Sequence, residues 1–214
     1  MTSREFRDRL SRRAHKARVA LPDEAVTPFE TYFRLLSQWN LKINLTALPL
    51  KAPTDETFDR LFVEPLVAGM LIPDAPGIWF DLGSGGGSPA VPLKMIRPAL
   101  SLTLVESKTR KAAFLREVVR ILKLSGTHVA NMRFEELPTP ARGADFVTVR
   151  AVRPDAALLG VSARLLRARG HLLLFGHVGH VTHAAFERVS PPHGSATELV
   201  VANYSRVFHV EQNH

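Results

Sequence analysis

Asp81-Leu82-Gly83-Ser84-Gly85-Gly86-Gly87 places a carboxylate two residues ahead of three alternate glycines. Glycines at this spacing let a backbone bend sharply and approach a ligand with no Cβ in the way. The pattern is D-x-G-x-G-x-G. It is not the G-x-G-x-x-G of a dinucleotide loop, whose last glycine is replaced here by Ser88. A carboxylate so close to the turn disfavours a pyrophosphate and suits an ammonium group. S-adenosyl-L-methionine carries an ammonium group and no phosphate. Twenty-five residues beyond Asp81 stands Glu106, placed to accept from two ribose hydroxyls. Taken singly, the loop could be a tight structural turn and Glu106 a strand-end charge. Their coupling at this distance favours a donor site.

A strand must deliver such a loop and a helix must start beyond it. The short apolar run Ile78–Leu82 ends at the loop, and a helix is expected from near Pro89. Further strand-like runs cover Ser101–Glu106, Asp145–Arg150 and Gly170–Phe175. Helical patterns separate them, one carrying Phe114, Leu115, Val118, Val119 and Leu122, another Leu158, Leu159, Leu165 and Leu166. Strands alternating with helices predict βαβ units and a parallel sheet. Before this region the chain reads as helical. Phe6, Leu10 and Ala14 recur every four residues. A second pattern runs from Asp23 to Trp39, with Thr27-Pro28 resembling a helix start, and a third from Thr54 to Leu71 with Phe58, Leu61, Phe62, Leu66 and Met70. The turn Asp74-Ala75-Pro76-Gly77 marks a boundary. We therefore expect a helical extension over 1–76 and an α/β unit over 77–214. Glu198–Ala202 and Arg206–Val210 are expected to pair antiparallel at the sheet edge.

The 214 residues carry 28 Lys and Arg against 20 Asp and Glu, a net charge of +8. The excess is uneven. Residues 1–20 hold Arg4, Arg7, Arg9, Arg12, Arg13, Lys16 and Arg18 against Glu5 and Asp8. Such a segment gathers affinity for a polyanion by counterion release. With no cysteine, disulfide scaffolds, cysteine-ligated metals and thiol nucleophiles are excluded. No apolar run reaches membrane-spanning length, and residues 1–20 lack a signal-peptide core. The expectation is a cytoplasmic protein whose sequons Asn44-Leu45-Thr46 and Asn203-Tyr204-Ser205 stay unmodified.

Over nearly its full length the chain resembles the bacterial small-subunit ribosomal RNA guanine-N7 methyltransferases, also called the glucose-inhibited division protein B family. The resemblance rests on Trp39-Asn40 with Asn44-Leu45-Thr46, on Asp81–Gly87 with Pro89 and Pro92-Leu93, on Glu106-Ser107, on Lys111–Glu117, on Arg133-Phe134-Glu135-Glu136, and on Asp145–Ala151. It implies an α/β class I (Rossmann-like) methyltransferase sheet with a helical N-terminal extension. It implies S-adenosyl-L-methionine as donor and N7 of a guanine in the 530 loop of 16S rRNA as acceptor, on the RNA or the small subunit. It places Asp81, Gly83, Gly85, Ser88, Glu106, Phe134, Glu135 and Arg150 at the donor, with Phe134 and Glu135 beside the adenine and Arg150 at the methyl-transfer end. Asn44, Arg60 and Arg150 would meet the substrate. The chain departs from the family pattern at Arg60-Leu61, Glu64-Pro65, Ser88, Ala90 and Phe175-Gly176.

Guanine N7 has a free lone pair and no proton to lose, so the chemistry calls for positioning and needs no general base. No catalytic dyad is visible. The Val149-Arg150-Ala151-Val152 segment lacks the Asp/Asn-Pro-Pro-aromatic motif of exocyclic-amine methylation. His177, His180 and His183 could hold a metal on a helix, but no carboxylate accompanies them and Gly176 and Gly179 flank them. We read them as a polar loop and expect no metal. A methyltransferase acting on a protein or small molecule, and a non-catalytic RNA-binding assembly module, are the competing readings. The oligomeric state is open, a monomer being the simplest expectation.

Overall fold

Trp79 and Phe80 point to opposite faces of one strand, and each enters a different apolar core. A strand buried on both faces belongs at the centre of a parallel sheet. The computed structural model describes residues 1–152, 154–176, 186–189 and 199–204, the last two segments as backbone only. The central strand β1 (Gly77–Leu82) pairs in parallel with β2 (Leu100–Val105) on one side and β4 (Ala144–Arg150) on the other. Beyond β2 lies β3 (Thr127–Ala130), and beyond β4 lies β5 (Leu166–Phe175), both parallel. Antiparallel β7 (Leu199–Tyr204) follows β5, and β6 (Phe186–Val189) follows β7, giving the order β3-β2-β1-β4-β5-β7-β6. The strand order reverses between β1 and β4, and ligands of such sheets sit outside the carboxyl ends at that point.

Helices α5 (Ala90–Ile96) and α6 (Thr109–Ile121) pack Leu93 and Phe114 into the core that holds Trp79. Helix α7 (Ala156–Leu165) packs Leu158 and Leu159 against Phe80 and Leu82 on the other face. The N-terminal region supplies α1 (Ser3–Lys16), α2 (Asp23–Asn40), α3 (Asp55–Phe58), a π-helical turn (Asp59–Val63) and α4 (Glu64–Gly69). Phe6, Phe29, Phe33, Phe58 and Phe62 interlock there, with ring centroids 5.2–6.3 Å apart. These rings belong to the same apolar cluster as Trp79 and Phe114. The core therefore runs across residue 76 without a break.

Several expectations need correcting. Thr27-Pro28 does not start α2; the helix begins at Asp23 and carries Pro28 inside it. Burial of Ala25, Val26 and Phe29 outweighs the one backbone hydrogen bond that proline removes. The third helical pattern is not one helix but α3, the π-turn and α4, and Met70 is 58% exposed. Leu166 leaves α7 and opens β5, four residues before the expected strand start. The strand β3 carries no apolar run and was not expected. Its carbonyl-terminal Ala130 accepts from Glu106 N. The partners of β7 are β5 and β6, both upstream in the chain; Arg206–Val210, the histidines His177, His180 and His183, and part of the second sequon lie outside the described residues. Among those described, no helix is long and apolar enough to cross a membrane.

Candidate active site

The glycine turn is stitched to the end of β2. Gly83 N and Ser84 N both donate to Val105 O, at 2.9 and 3.0 Å. Glu106 closes the arrangement: Oε2 accepts from Gly85 N at 2.9 Å and Oε1 from Lys108 N at 2.7 Å. Its carboxylate is buried, yet each oxygen keeps a lone pair for a ligand hydroxyl. Gly83, Gly85 and Gly87 have φ of +72°, +51° and +90°. A Cβ at Gly87 would lie 2.9 Å from Val91 Cγ2, where α5 begins. At Gly85 a Cβ would meet, among the described residues, only the Gly83 carbonyl, at 3.7 Å. Among those residues the turn therefore leaves open space above Gly85, beside Glu106.

The N-terminal helices support this turn from behind. Tyr32 Oη of α2 donates to Gly86 O at 2.6 Å. A Cβ on Gly86 would lie 3.2 Å from Leu45 O. Leu45 is held by Asn40, whose Oδ1 accepts from Leu45 N and Thr46 N at 2.8 and 3.0 Å and whose Nδ2 donates to Thr46 O. The Trp39-Asn40 and Asn44-Leu45-Thr46 motifs thus build one loop that packs on the glycine turn. Trp39 itself packs on Phe114, with ring centroids 5.7 Å apart. Asn44 is exposed.

Asp81, one residue from the end of β1, is 2% exposed. Its Oδ1 accepts from Thr148 Oγ1 at 2.5 Å, and Thr148 Oγ1 accepts from Trp79 Nε1 at 2.9 Å. Burial pushes the Asp81 carboxyl up to about 6, opposed chiefly by the Thr148 hydrogen bond.

Arg150, at the end of β4, is committed to the protein. Its guanidinium donates to Glu64, to the Arg60 carbonyl and to Ser88 Oγ (3.1 Å), and it lies 4.8 Å from the centre of the Phe175 ring. Both members of the Arg150–Glu64 pair are 11% exposed. Burial pushes the Glu64 carboxyl up and the Arg150 guanidinium down, in each case against the attraction of its partner. Ser88 Oγ also donates to the carbonyls of Arg60 and Leu61 in the π-turn, 3.2 Å from each. Three of the departures from the family pattern, Glu64, Ser88 and Phe175, therefore meet around one guanidinium, together with the Arg60 carbonyl. The Arg60 side chain reaches the Gly176 turn after β5.

The structure thus brings Asp81, Gly83, Gly85 and Glu106 to the switch point, with Arg60, Ser88 and Arg150 grouped behind the carboxyl ends of β4 and β5. Phe134 and Glu135 form a short 3-10 turn after β3. Phe134 packs partly on the core that holds Leu137, and Glu135 is exposed. Tyr32, Asn131 and Thr148 are not singled out by the sequence reading, and Asn40 and Glu64 stand there in motifs without an assigned role. Asn131 Nδ2 donates to the carbonyls of Glu106 and Ser107 at 2.9 and 3.2 Å; its place one residue after β3 was the available signal. No group of three His, Asp or Glu side chains able to hold a metal occurs among the described residues.

A mainly parallel sheet with helices on both faces, and a glycine turn tied to an acid at the next strand end, define the class I methyltransferase fold. Solved structures bear this out. A putative S-adenosyl-L-methionine-dependent methyltransferase from Methanococcus maripaludis superposes with TM-score 0.54 at 12% identity, covering 68% of this chain and 87% of that one. The putative methyltransferase yhhF from Escherichia coli gives 0.51 at 16% identity, over 66% and 83%. The chain belongs to the rRNA small subunit methyltransferase G family, whose model matches residues 26–182. Curated relatives named "Ribosomal RNA small subunit methyltransferase G" include one from Xanthomonas euvesicatoria pv. vesicatoria, 40% identical over 148 residues (68% of this chain, 66% of the relative), and one from Streptococcus agalactiae, 34% identical over 161 residues (72% and 66%). The chain thus spans about 66% of the length of these relatives.

Proposed function

We propose that this protein transfers the methyl group of S-adenosyl-L-methionine to N7 of a guanine in the 530 loop of 16S rRNA. The observation that carries the donor assignment is Glu106 held by the Gly85 and Lys108 amides at the switch point. The pocket fits the donor chemically: Glu106 offers lone pairs to ribose hydroxyls, Asp81 offers a negative charge to an ammonium, and the turn at Gly85 is open where a Cβ would stand. When bound, the donor supplies a methyl carbon made electrophilic by its sulfonium. Gly83 and Gly85 present the loop backbone, and Phe134 and Glu135 border the adenine. Ser88 and Arg150 shape the methyl-transfer end from behind, through the π-turn they grip. Asn44 and Arg60 face the substrate. The guanine has no proton to remove, so these residues need only orient two reactants and exclude water.

The RNA assignment is supported by family membership and by α1. Arg9 and Arg13 are bound to Asp55 and Asp59 of the π-turn region. Arg7, Arg12, Lys16 and Arg18 are exposed and form no ion pair among the described residues. They offer a cationic face to phosphates.

The test supplies labelled donor with naked 16S rRNA, with small subunits and with a protein extract. Borohydride reduction followed by aniline cleavage then maps 7-methylguanine. We expect one cleavage, within the 530 loop. Label recovered in protein, or no label from a protein that binds the donor, rejects the proposal.

A further inference from the structure

Trp79, Thr148 and Asp81 form a hydrogen-bonded chain through the dry centre of the sheet. Asp81 and Thr148 are paired residues on β1 and β4, and Trp79 lies two residues before Asp81, on the same strand face. All three are buried, at 0%, 0% and 2% exposure. The polarity of the chain is fixed by chemistry. An indole N–H only donates, so Trp79 Nε1 occupies a lone pair of Thr148 Oγ1 at 2.9 Å. The single hydroxyl proton of Thr148 is then directed to Asp81 Oδ1 at 2.5 Å. A hydroxyl whose lone pair is already engaged is a stronger donor, and a carboxylate is the acceptor it favours.

We propose that Thr148, polarised by Trp79, is a positioning residue that keeps Asp81 ionised and aimed at the donor's ammonium, and so sets donor affinity. This rests on the assignment of Asp81 to the donor ammonium. Asp81 needs such help. Burial disfavours its charge, and Glu106 at the end of β2 repels it. Arg150 at the end of β4 attracts it, but that guanidinium is held by Glu64. Tyr32 of α2 faces the same region as a neutral phenol, pushed up by burial. Ser84 Oγ of the glycine turn donates to the Asp81 carbonyl at 3.0 Å. Thr148 supplies the stronger side-chain hydrogen bond that favours the carboxylate, and Ser84 adds a weaker one.

The experiment compares Thr148→Val, Thr148→Ser, Trp79→Phe and Asp81→Asn with the parent in full-length protein. Donor affinity is measured by calorimetry from pH 5.5 to 9, and the Asp81 carboxyl is titrated by 13C NMR without donor. Thr148→Val should weaken donor binding about 10-fold at pH 7, the effect of one lost charge-assisted hydrogen bond. The loss should shrink towards pH 9, where Asp81 ionises without help, and the carboxyl titration should move upward. KM for the donor should rise while kcat at saturating donor changes little. Thr148→Ser should restore the parent profile. Trp79→Phe keeps an aromatic ring in the core and should give a smaller upward shift, so the proposal is tested even if Thr148→Val unfolds. Superimposable pH profiles and titrations for Thr148→Val, or for Trp79→Phe where Thr148→Val unfolds, overturn it. If Asp81→Asn weakens binding while Thr148→Val does not, the Asp81 assignment stands and the role of Thr148 falls. If Asp81→Asn binds the donor like the parent, the Asp81 assignment itself fails.

Discussion

Glu106 and Arg150 end neighbouring regions of the same sheet edge, and their surroundings give them different work. Glu106 spends its carboxylate on two backbone amides and keeps lone pairs free. Glu106→Ala should lose the charge-assisted bonds to ribose, about 1.5–3 kcal/mol, or roughly 10- to 100-fold in donor affinity by calorimetry. Arg150 faces inward, and its fork grips Glu64, the Arg60 carbonyl and Ser88. A lysine cannot reproduce that fork. Arg150→Lys should therefore lower methylation by about 100-fold, a transition-state cost of roughly 2.7 kcal/mol, because the π-turn that carries Arg60 loses its register. Removing one partner of a buried pair costs about 3–5 kcal/mol, so Arg150→Met should also lower the denaturant midpoint clearly. Unchanged turnover in Arg150→Lys would leave the pair with a purely structural role. Asp81 and Glu106 were legible in the sequence because their spacing from the glycines is local. Thr148 and Glu64 were not, because strand register and the course of the π-turn decide what they touch.

Among the elements, α1 shows how one helix divides its charges. Thr2 and Glu5 form a capping box at its start, and Phe6, Leu10 and Ala14 anchor it in the core. Arg9 and Arg13 bind the acids of α3 and the π-turn. Arg7, Arg12 and Lys16 on the helix, and Arg18 just beyond its end, are exposed, and in the proposed function they meet RNA phosphates. Replacing these four by alanine should weaken binding to all RNAs alike and flatten the logarithmic salt slope by about 3, at roughly 0.7–0.9 per phosphate contact. A changed methylation position at unchanged affinity would contradict this. The α/β alternation and the first helices were readable because their apolar spacing is strong. The π-turn and β3 were not. The insertion of a π-turn leaves the apolar residues Leu61, Phe62 and Leu66 in a helix-like sequence pattern, and β3 is only four residues with partial burial.

For the whole molecule, Asp81 sets stability against function. An ordinary aspartate has a pKa near 3.9, and burial raises this one to about 6. Below the unfolded value both states are protonated and no charge is buried. As pH rises through the folded value, the native state must bury a carboxylate, and roughly 3 kcal/mol of stability is lost. Asp81→Asn removes that loss. Urea unfolding at pH 4 and pH 7 should show the variant gaining on the parent as pH rises, and a constant difference would refute the assignment. The same packing has a consequence in time. Tyr32 donates to Gly86, 54 positions later in the chain, and Phe6 and Phe29 share a core with Trp79 and Phe114. A growing polypeptide leaves the ribosome amino end first, so α2 emerges before the glycine turn and α6 that it packs on have been synthesised. The phenylalanines of α1 and α2 find one another and Phe58 and Phe62 within the first 62 residues, but Tyr32 and Trp39 must wait for Gly86 and Phe114. A nascent chain stalled before residue 77 should therefore be cut readily by protease, and protection of α2 should arise only once α6 has cleared the exit tunnel.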